Sequence, residues 1–257
     1  MLKKPEIISY TTPEELAQNA AQHFFEVIQE SLRARNRADV CLTGGSMGTK
    51  LLETLPHYIQ FLEDFSWENV HFWWSDERFL PTGHDDRNEK QAYDAFFSQV
   101  SVPSGNIHRM GASDVFDSPE EAAKAYVREL AEHSSAHQRT PLFDVLLLGM
   151  GPDGHIASLF PERDEVFDTE NIAVAIHQSP KPPSTRVSLT LPVICYARRI
   201  WFLISGEDKV QAASRLVETR DLPYEKITAQ MLRQTPARGA RALERTTILI
   251  TDSAHQK

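Results

Sequence analysis

The stretch Phe143–Pro161, FDVLLLGMGPDGHIASLFP, restricts the fold more than any other in this chain. Phe143 to Leu148 is an apolar run of strand length, and it stops abruptly at Gly149, Gly151 and Gly154. Backbone that turns so sharply, with so little side-chain bulk, can come close to a ligand. Asp153 and His155 are set in the bend, a carboxylate and an imidazole two residues apart, and histidine is the side chain best suited to exchange protons near neutral pH. The three glycines also satisfy the G-x-G-x-x-G dinucleotide fingerprint, which requires a full helix after the turn. Pro161 leaves no room for that helix, because an internal proline removes a hydrogen bond and clashes with the preceding turn. A tight turn carrying a surface histidine is the remaining alternative, and the other motifs decide against it.

Upstream, Thr12-Pro13-Glu14-Glu15 combines a capping residue, a first-turn proline and a glutamate at the third helical position, which predicts a helix start. Leu16, Ala20, Phe24, Ile28 and Leu32 then recur every four residues, the stripe of a helix laid on a sheet. Asp39 to Thr43 reads as a short buried strand ending in Gly44-Gly45-Ser46, ahead of a helical pattern carried by Leu51, Leu52 and Leu55. Strand, glycines, hydroxyl and helix together present free backbone N–H groups and a positive dipole end to an anion. The order Thr49-Lys50 excludes a Walker A loop, which needs Gly-Lys-Ser/Thr.

Val70 to Trp74 is a further strand, running out into Ser75-Asp76-Glu77-Arg78. Ligands of open parallel sheets bind beyond the carboxyl ends of strands, so Asp76 and Arg78 are candidate substrate contacts, Arg78 offering a planar fork to phosphate or carboxylate. His84-Asp85-Asp86 lacks a third histidine at ligand spacing, and no metal is expected. Arg87 to Val100 and Ser118 to His133 read as helices, the second opened by Ser118-Pro119-Glu120-Glu121. Arg186 to Leu191 alternates like a strand after the rigid Lys181-Pro182-Pro183. Ile200 to Ile204 is another buried strand, ending at Ser205-Gly206-Glu207-Asp208-Lys209 where a helix starts, and Thr246 to Thr251 is the last strand.

A chain of 257 residues is long enough for one large α/β domain or two small ones, and one domain spanning 1–257, a mostly parallel sheet flanked by helices, is expected. With 27 Lys and Arg against 36 Asp and Glu, the net charge is −9, without a dense basic cluster, which argues against a nucleic-acid surface. The start, MLKKPEIISY, lacks a signal-peptide core, and no stretch approaches the ~20 apolar residues of a membrane span, so a cytoplasmic protein is expected. Cys41 and Cys195 have no companion pair for a zinc site or disulfide framework and read as small core residues.

Taken together, TGGSMG at 43–48, SDERFLP at 75–81, GMGPDGHIASLFP at 149–161, PPSTRVSLT at 182–190 and SGEDK at 205–209 resemble the 6-phosphogluconolactonase family in order and spacing. The resemblance implies a Rossmann-like fold related to glucosamine-6-phosphate deaminase and ribose-5-phosphate isomerase. It implies hydrolysis of 6-phospho-D-glucono-1,5-lactone without metal or organic cofactor. His155 is then the general base and Asp153 its orienting or electrostatic partner. Gly44, Gly45, Ser46, Asp76, Arg78, Arg186 and Lys209 are the expected substrate contacts, with Ser46 and Ser158 serving as loop and helix-start residues. A functional coupling to glucose-6-phosphate dehydrogenase is a further expectation. Two rivals share the fold. The deaminase resembles D-E-Y where this chain has Arg78 and F-N-E-P where it has Ser158-Leu159-Phe160-Pro161. A non-catalytic sugar-phosphate sensor is expected to carry a DNA-binding segment and can dispense with His155. One departure stands out: Asp86-Arg87-Asn88 occupies the place of the family's common Asp-Ser-Asn, and the tail after Leu222 matches less closely.

Overall fold

A computed structural model describes residues 3–59, 62 and 65–255; Met1 and Leu2 of the amino-terminal stretch considered above lie outside them. In chain order the elements are β1 (Glu6–Tyr10), α1 (Pro13–Arg35), β2 (Ala38–Leu42), α2 (Gly45–Thr54), α3 (Pro56–Ile59), β3 (Val70–Trp74), β4 (Asp76–Arg78), α4 (Asn88–Ala95) and α5 (Pro119–Glu132). These are followed by β5 (Val145–Gly149), β6 (Ala173–Ile176), β7 (Arg186–Leu189), α6 (Leu191–Cys195), β8 (Arg199–Ile204), α7 (Val210–Glu218), α8 (Ala229–Gln234) and β9 (Arg245–Thr251).

Six strands make one sheet in the order β1-β9-β8-β5-β2-β3, and every pair in it is parallel. Both faces are covered, so β2 and β8 are buried almost end to end, which is why they read as unbroken apolar runs. β1 carries no such run and was not read as a strand, and the apolar run Ile172 to Ile176 that holds β6 went unread as well. Helix α1 starts as its sequence predicts: the Thr12 hydroxyl accepts from the Glu15 amide at 3.1 Å, and the helix ends on Asn36 in the left-handed region. Leu16, Ala20, Phe24 and Ile28 are fully buried against the sheet, and Leu32 packs at its margin. Helix α5 starts on Ser118 in the same way.

The strand order places the binding end. From β2 the chain steps outward to β3, then crosses back to β5 on the other side of β2. The connections therefore diverge beyond the carboxyl ends of β2 and β5, the crevice where open α/β sheets bind ligands. A hydrogen bond from the Gly149 amide to the Thr43 hydroxyl, 3.2 Å, ties those two ends together.

A smaller antiparallel sheet, β4-β7-β6, stands beside this crevice. Asp76, Glu77 and Arg78, where β3 runs out, form a strand paired with β7, in which Arg78 lies directly opposite Arg186. Cys41 is buried, and the half-buried Cys195 thiol donates to the Gly239 carbonyl at 3.2 Å. His84, Asp85 and Asp86 form an exposed turn. Among the described residues no helix is long and apolar enough to cross a membrane.

Candidate active site

The loops after β2, β5 and β8 and the β4–β7 pair enclose a cleft of about 680 Å³. Gly44, Gly45, Ser46, Asp76, Arg78, His155, Arg186 and Lys209 all line it, although they come from five separate stretches of sequence. Asp153 does not line it. Instead its Oδ1 lies 2.6 Å from His155 Nδ1, on the far side of the imidazole. With Nδ1 engaged, Nε2 is the ring nitrogen left for the cleft. The pair lies in a tight loop closed by Gly151 N–H donating to the His155 carbonyl at 3.0 Å, and Phe160 packs on the ring at 4.6 Å between centroids. Gly151 is required here, since a Cβ on it would stand 2.1 Å from the imidazole. Burial pushes the Asp153 carboxyl up, but the hydrogen bond and charge of His155 outweigh it and hold the group at about 2. Asp153 is thus a carboxylate under all ordinary conditions, and an ionised acceptor at Nδ1 keeps the proton there and the lone pair on Nε2.

Ser158 differs from its expected place. No helix begins there; Ile156 and Leu159 bridge across a turn, and the buried Ser158 hydroxyl donates to Asp76 Oδ2 at 2.6 Å. Asp76 is also approached by Asn88 Nδ2 at 3.5 Å and Arg186 Nη1 at 3.9 Å, so this buried carboxylate joins three stretches of the cleft wall.

The opposite wall is built to hold an anion. Helix α2 begins at Gly44 without a side-chain cap, in contrast to α1 and α5, so its first amides remain available at the cleft. Gly44 is there because Asn88 comes so close that a Cβ on it would lie 1.9 Å from Asn88 Oδ1. Around this end stand Arg78, Lys181 and Lys209. Burial lowers Lys209, Asp208 beside it partly offsets this, and nearby Lys181 adds to the lowering. Arg78 Nη1 donates to the Asp86 carbonyl, while its buried Nε has no protein partner among the described residues. Arg186 is committed differently: Nε donates to Pro183 O at 3.0 Å and Nη2 to Lys181 O and Pro182 O at 3.1 and 3.2 Å. It holds the loop that carries Lys181 and leaves only Nη1 toward Asp76 and the cleft.

Sequence reasoning missed Lys181 and Asn88. Lys181 was visible only as the residue before a proline pair, and Asn88 only as part of the unusual Asp86-Arg87-Asn88 turn. Arg87 explains that turn. Its guanidinium is fully buried, pairs with Glu89 at 2.9 Å, and donates to the carbonyls of Met110, Leu80 and Arg78 at 2.7, 3.0 and 3.1 Å. Glu77, 3.9 Å from Arg87, accepts from the amides of Arg78, Asn88 and Glu89 at 2.7, 2.7 and 2.9 Å. Arg87 and Glu77 together fasten β4 to α4 and fix Arg78 and Asn88 at the cleft.

A family model described as glucosamine-6-phosphate isomerases/6-phosphogluconolactonase matches residues 11–241. A Streptomyces coelicolor protein named 6-phosphogluconolactonase is 40% identical over 259 aligned positions, covering 99% of this chain and 95% of that protein. One of the same name from Mycobacterium tuberculosis is 41% identical over 204 positions, 79% of this chain and 81% of that one. The 6-phosphogluconolactonase structure from Thermotoga maritima superposes with a TM-score of 0.79 at 25% identity, over 97% of this chain and 100% of that one. A monomeric glucosamine-6-phosphate deaminase superposes with a TM-score of 0.77 at 21% identity, over 97% and 98%, a likeness of fold alone.

Proposed function

Since this chain belongs to the glucosamine-6-phosphate isomerase/6-phosphogluconolactonase family, we infer that its cleft serves the lactonase branch. It hydrolyses 6-phospho-D-glucono-1,5-lactone to 6-phosphogluconate, the second step of the oxidative pentose phosphate pathway. The observation that carries this reading is the His155–Asp153 pair, 2.6 Å apart, facing an uncapped helix start and a ring of cations across one cleft. Acid–base chemistry and anion binding are the two requirements of opening a phosphorylated lactone.

A lactone is an activated ester, so water needs help chiefly with losing its proton and with the oxyanion that forms. His155 Nε2 takes a proton from water as its oxygen attacks the lactone carbonyl carbon. The tetrahedral intermediate collapses with cleavage of the bond to the ring oxygen, and the imidazolium returns its proton to that oxygen. Asp153 orients the ring from behind and stabilises the transient imidazolium. The phosphate lies against the amides of Gly44, Gly45 and Ser46, with Arg78, Lys181 and Lys209 as its cations. Asp76 and the one free arm of Arg186 face the sugar. The proposed chemistry uses no metal, since the proton and charge steps are both met by these side chains. Residues 1–257 act as one catalytic domain in the cytoplasm, fed by a glucose-6-phosphate dehydrogenase that makes the lactone.

Arg78 and the Ser158-Leu159 turn separate this reading from the deaminase, because neither supplies the tyrosine or glutamate context of ring opening and proton shuttling. The test supplies freshly generated lactone with chelator present and glucosamine 6-phosphate in a parallel tube. Fast acid release above the spontaneous rate, indifferent to chelator and without ammonia, is the expected result. Ammonia and fructose 6-phosphate in the second tube would reassign the chain to the deaminase. Binding of either sugar without turnover would make it a sensor.

A further inference from the structure

At the other end of β3 from the cleft, three histidines from distant parts of the chain come together. His71 is the second residue of β3, His108 lies where residues 107–108 run beside that strand, and His133 is the C-cap of α5. One ring nitrogen of each lies within 4.8 Å of the other two. His71 Nδ1 and His108 Nε2 are 2.9 Å apart. His108 Nδ1 lies 2.7 Å from Glu129 Oε1.

That last contact sets the chemistry. A carboxylate only accepts, so the Nδ1 of His108 carries the proton and its Nε2 lone pair faces His71. A carboxylate behind a histidine whose other nitrogen points into a cluster of imidazoles is the outer arrangement typical of metal-binding histidines. Trp73 stacks on the His108 ring at 3.7 Å between centroids and 9° between planes, so this ligand is held rigidly. Arg37 is the cation nearby, and Asp39 neutralises it with two hydrogen bonds of 2.7 and 2.8 Å.

We propose that His71, His108 and His133 form a binding site for a divalent transition metal of the zinc type, oriented by Glu129 and remote from the catalytic cleft. Neutral imidazoles suit Zn²⁺ and its neighbours rather than Mg²⁺ or Ca²⁺. Tetrahedral coordination at about 2.0–2.1 Å sets the nitrogens roughly 3.3–3.4 Å apart. The 2.9 Å pair needs to open slightly and the most distant nitrogen to close by at most about 1.5 Å, a movement the partly exposed His133 and Glu129 can supply. His71 shifts its proton from Nδ1 to Nε2 to free its lone pair, with no net proton release. A fourth position remains for water on the exposed side. The ion would clamp the end of α5 to β3, so its effect is on stability and not on turnover.

The test uses untagged, full-length protein stripped with chelator and titrated with Zn²⁺ against a chromophoric competitor. One equivalent should bind with half-saturation at or below about 1 µM. At a hundredfold excess over the dissociation constant it should raise Tm by roughly 5 °C or more. His71→Asn and His133→Asn should each weaken binding by more than about 100-fold, and Glu129→Gln by about 10–100-fold. Lactone hydrolysis should be unchanged in all three variants, which also verifies their folding. Wild-type protein loaded with Co²⁺ should show the intense visible absorption of four-coordinate nitrogen ligation, a reading that needs no variant. A pale six-coordinate spectrum, no binding below about 100 µM Zn²⁺, or binding undiminished in both histidine variants would overturn the site.

Discussion

Asp153→Asn isolates the electrostatic part of the proposed acid–base pair. Asparagine keeps an acceptor oxygen for His155 Nδ1, so the ring stays oriented while the charge behind it disappears. The fall of Asp153 from its ordinary 3.8 to about 2 measures how strongly it favours a charged His155, on the order of 2 kcal/mol. The Asp153 side chain is 35% exposed, and solvent screening reduces that figure to about 1 kcal/mol. In the proposed mechanism the imidazolium forms in the attack step, so the loss belongs in kcat. We expect kcat to fall by roughly 5–10-fold with KM within about twofold. The assay is steady-state acid release from fresh lactone, corrected for spontaneous hydrolysis. In a His155→Ala background the same substitution should change nothing, because the group it supports is gone. An unchanged kcat, a loss confined to KM, or an equal loss in the His155→Ala background would refute the reasoning.

Three other outcomes follow from named contacts. Arg78→Ala should raise KM for the phosphorylated lactone by about 10–100-fold, the loss of a charge-assisted hydrogen bond of about 1.5–3 kcal/mol; equal effects on an unphosphorylated lactone would show that Arg78 does not read phosphate. Arg87→Ser leaves buried Glu77 without its cation and Glu89 with Arg109 alone, which should cost about 3–5 kcal/mol and lower Tm by roughly 10 °C in a thermal melt; a change under about 2 °C would mean that the buried network contributes little. Because Asp153 titrates only at about 2, its carboxyl should leave no break in a steady-state profile of kcat/KM above about pH 4, and an acid-side break there that disappears in Asp153→Asn would show that the carboxyl is not held ionised.

Much of the parallel sheet was legible because burial on both faces leaves a periodicity-free apolar signature, as in Cys41 and Leu42 of β2 or Leu146 to Leu148 of β5. The carboxyl ends of those strands then carried the glycines and charges that line the cleft. Relations across the sheets were not legible. That Arg78 faces Arg186 depends on a β4–β7 register between residues more than a hundred positions apart. That Asp76 receives the Ser158 hydroxyl depends on the same packing, and where a helix start was expected at Ser158 the chain turns between Ile156 and Leu159 instead. Arg186 looked like a ligand cation because sequence shows charge and not its commitments; most of its donors are spent on the 181–183 backbone. The histidines at 71, 108 and 133 escaped notice for a related reason. Metal motifs are recognised by short spacing, and the first two of these are 37 residues apart.

The central claim is that His155 moves the proton, and His155→Ala tests it most directly. Product binding is measured first, by calorimetry with 6-phosphogluconate, so that a loss of turnover cannot be confused with a loss of the cleft. The rate above spontaneous hydrolysis is then taken at saturating lactone. The account predicts binding within a few-fold of wild type and a fall in kcat of about 10²–10⁴, the usual contribution of a general base. Full turnover in a variant that binds normally would contradict it.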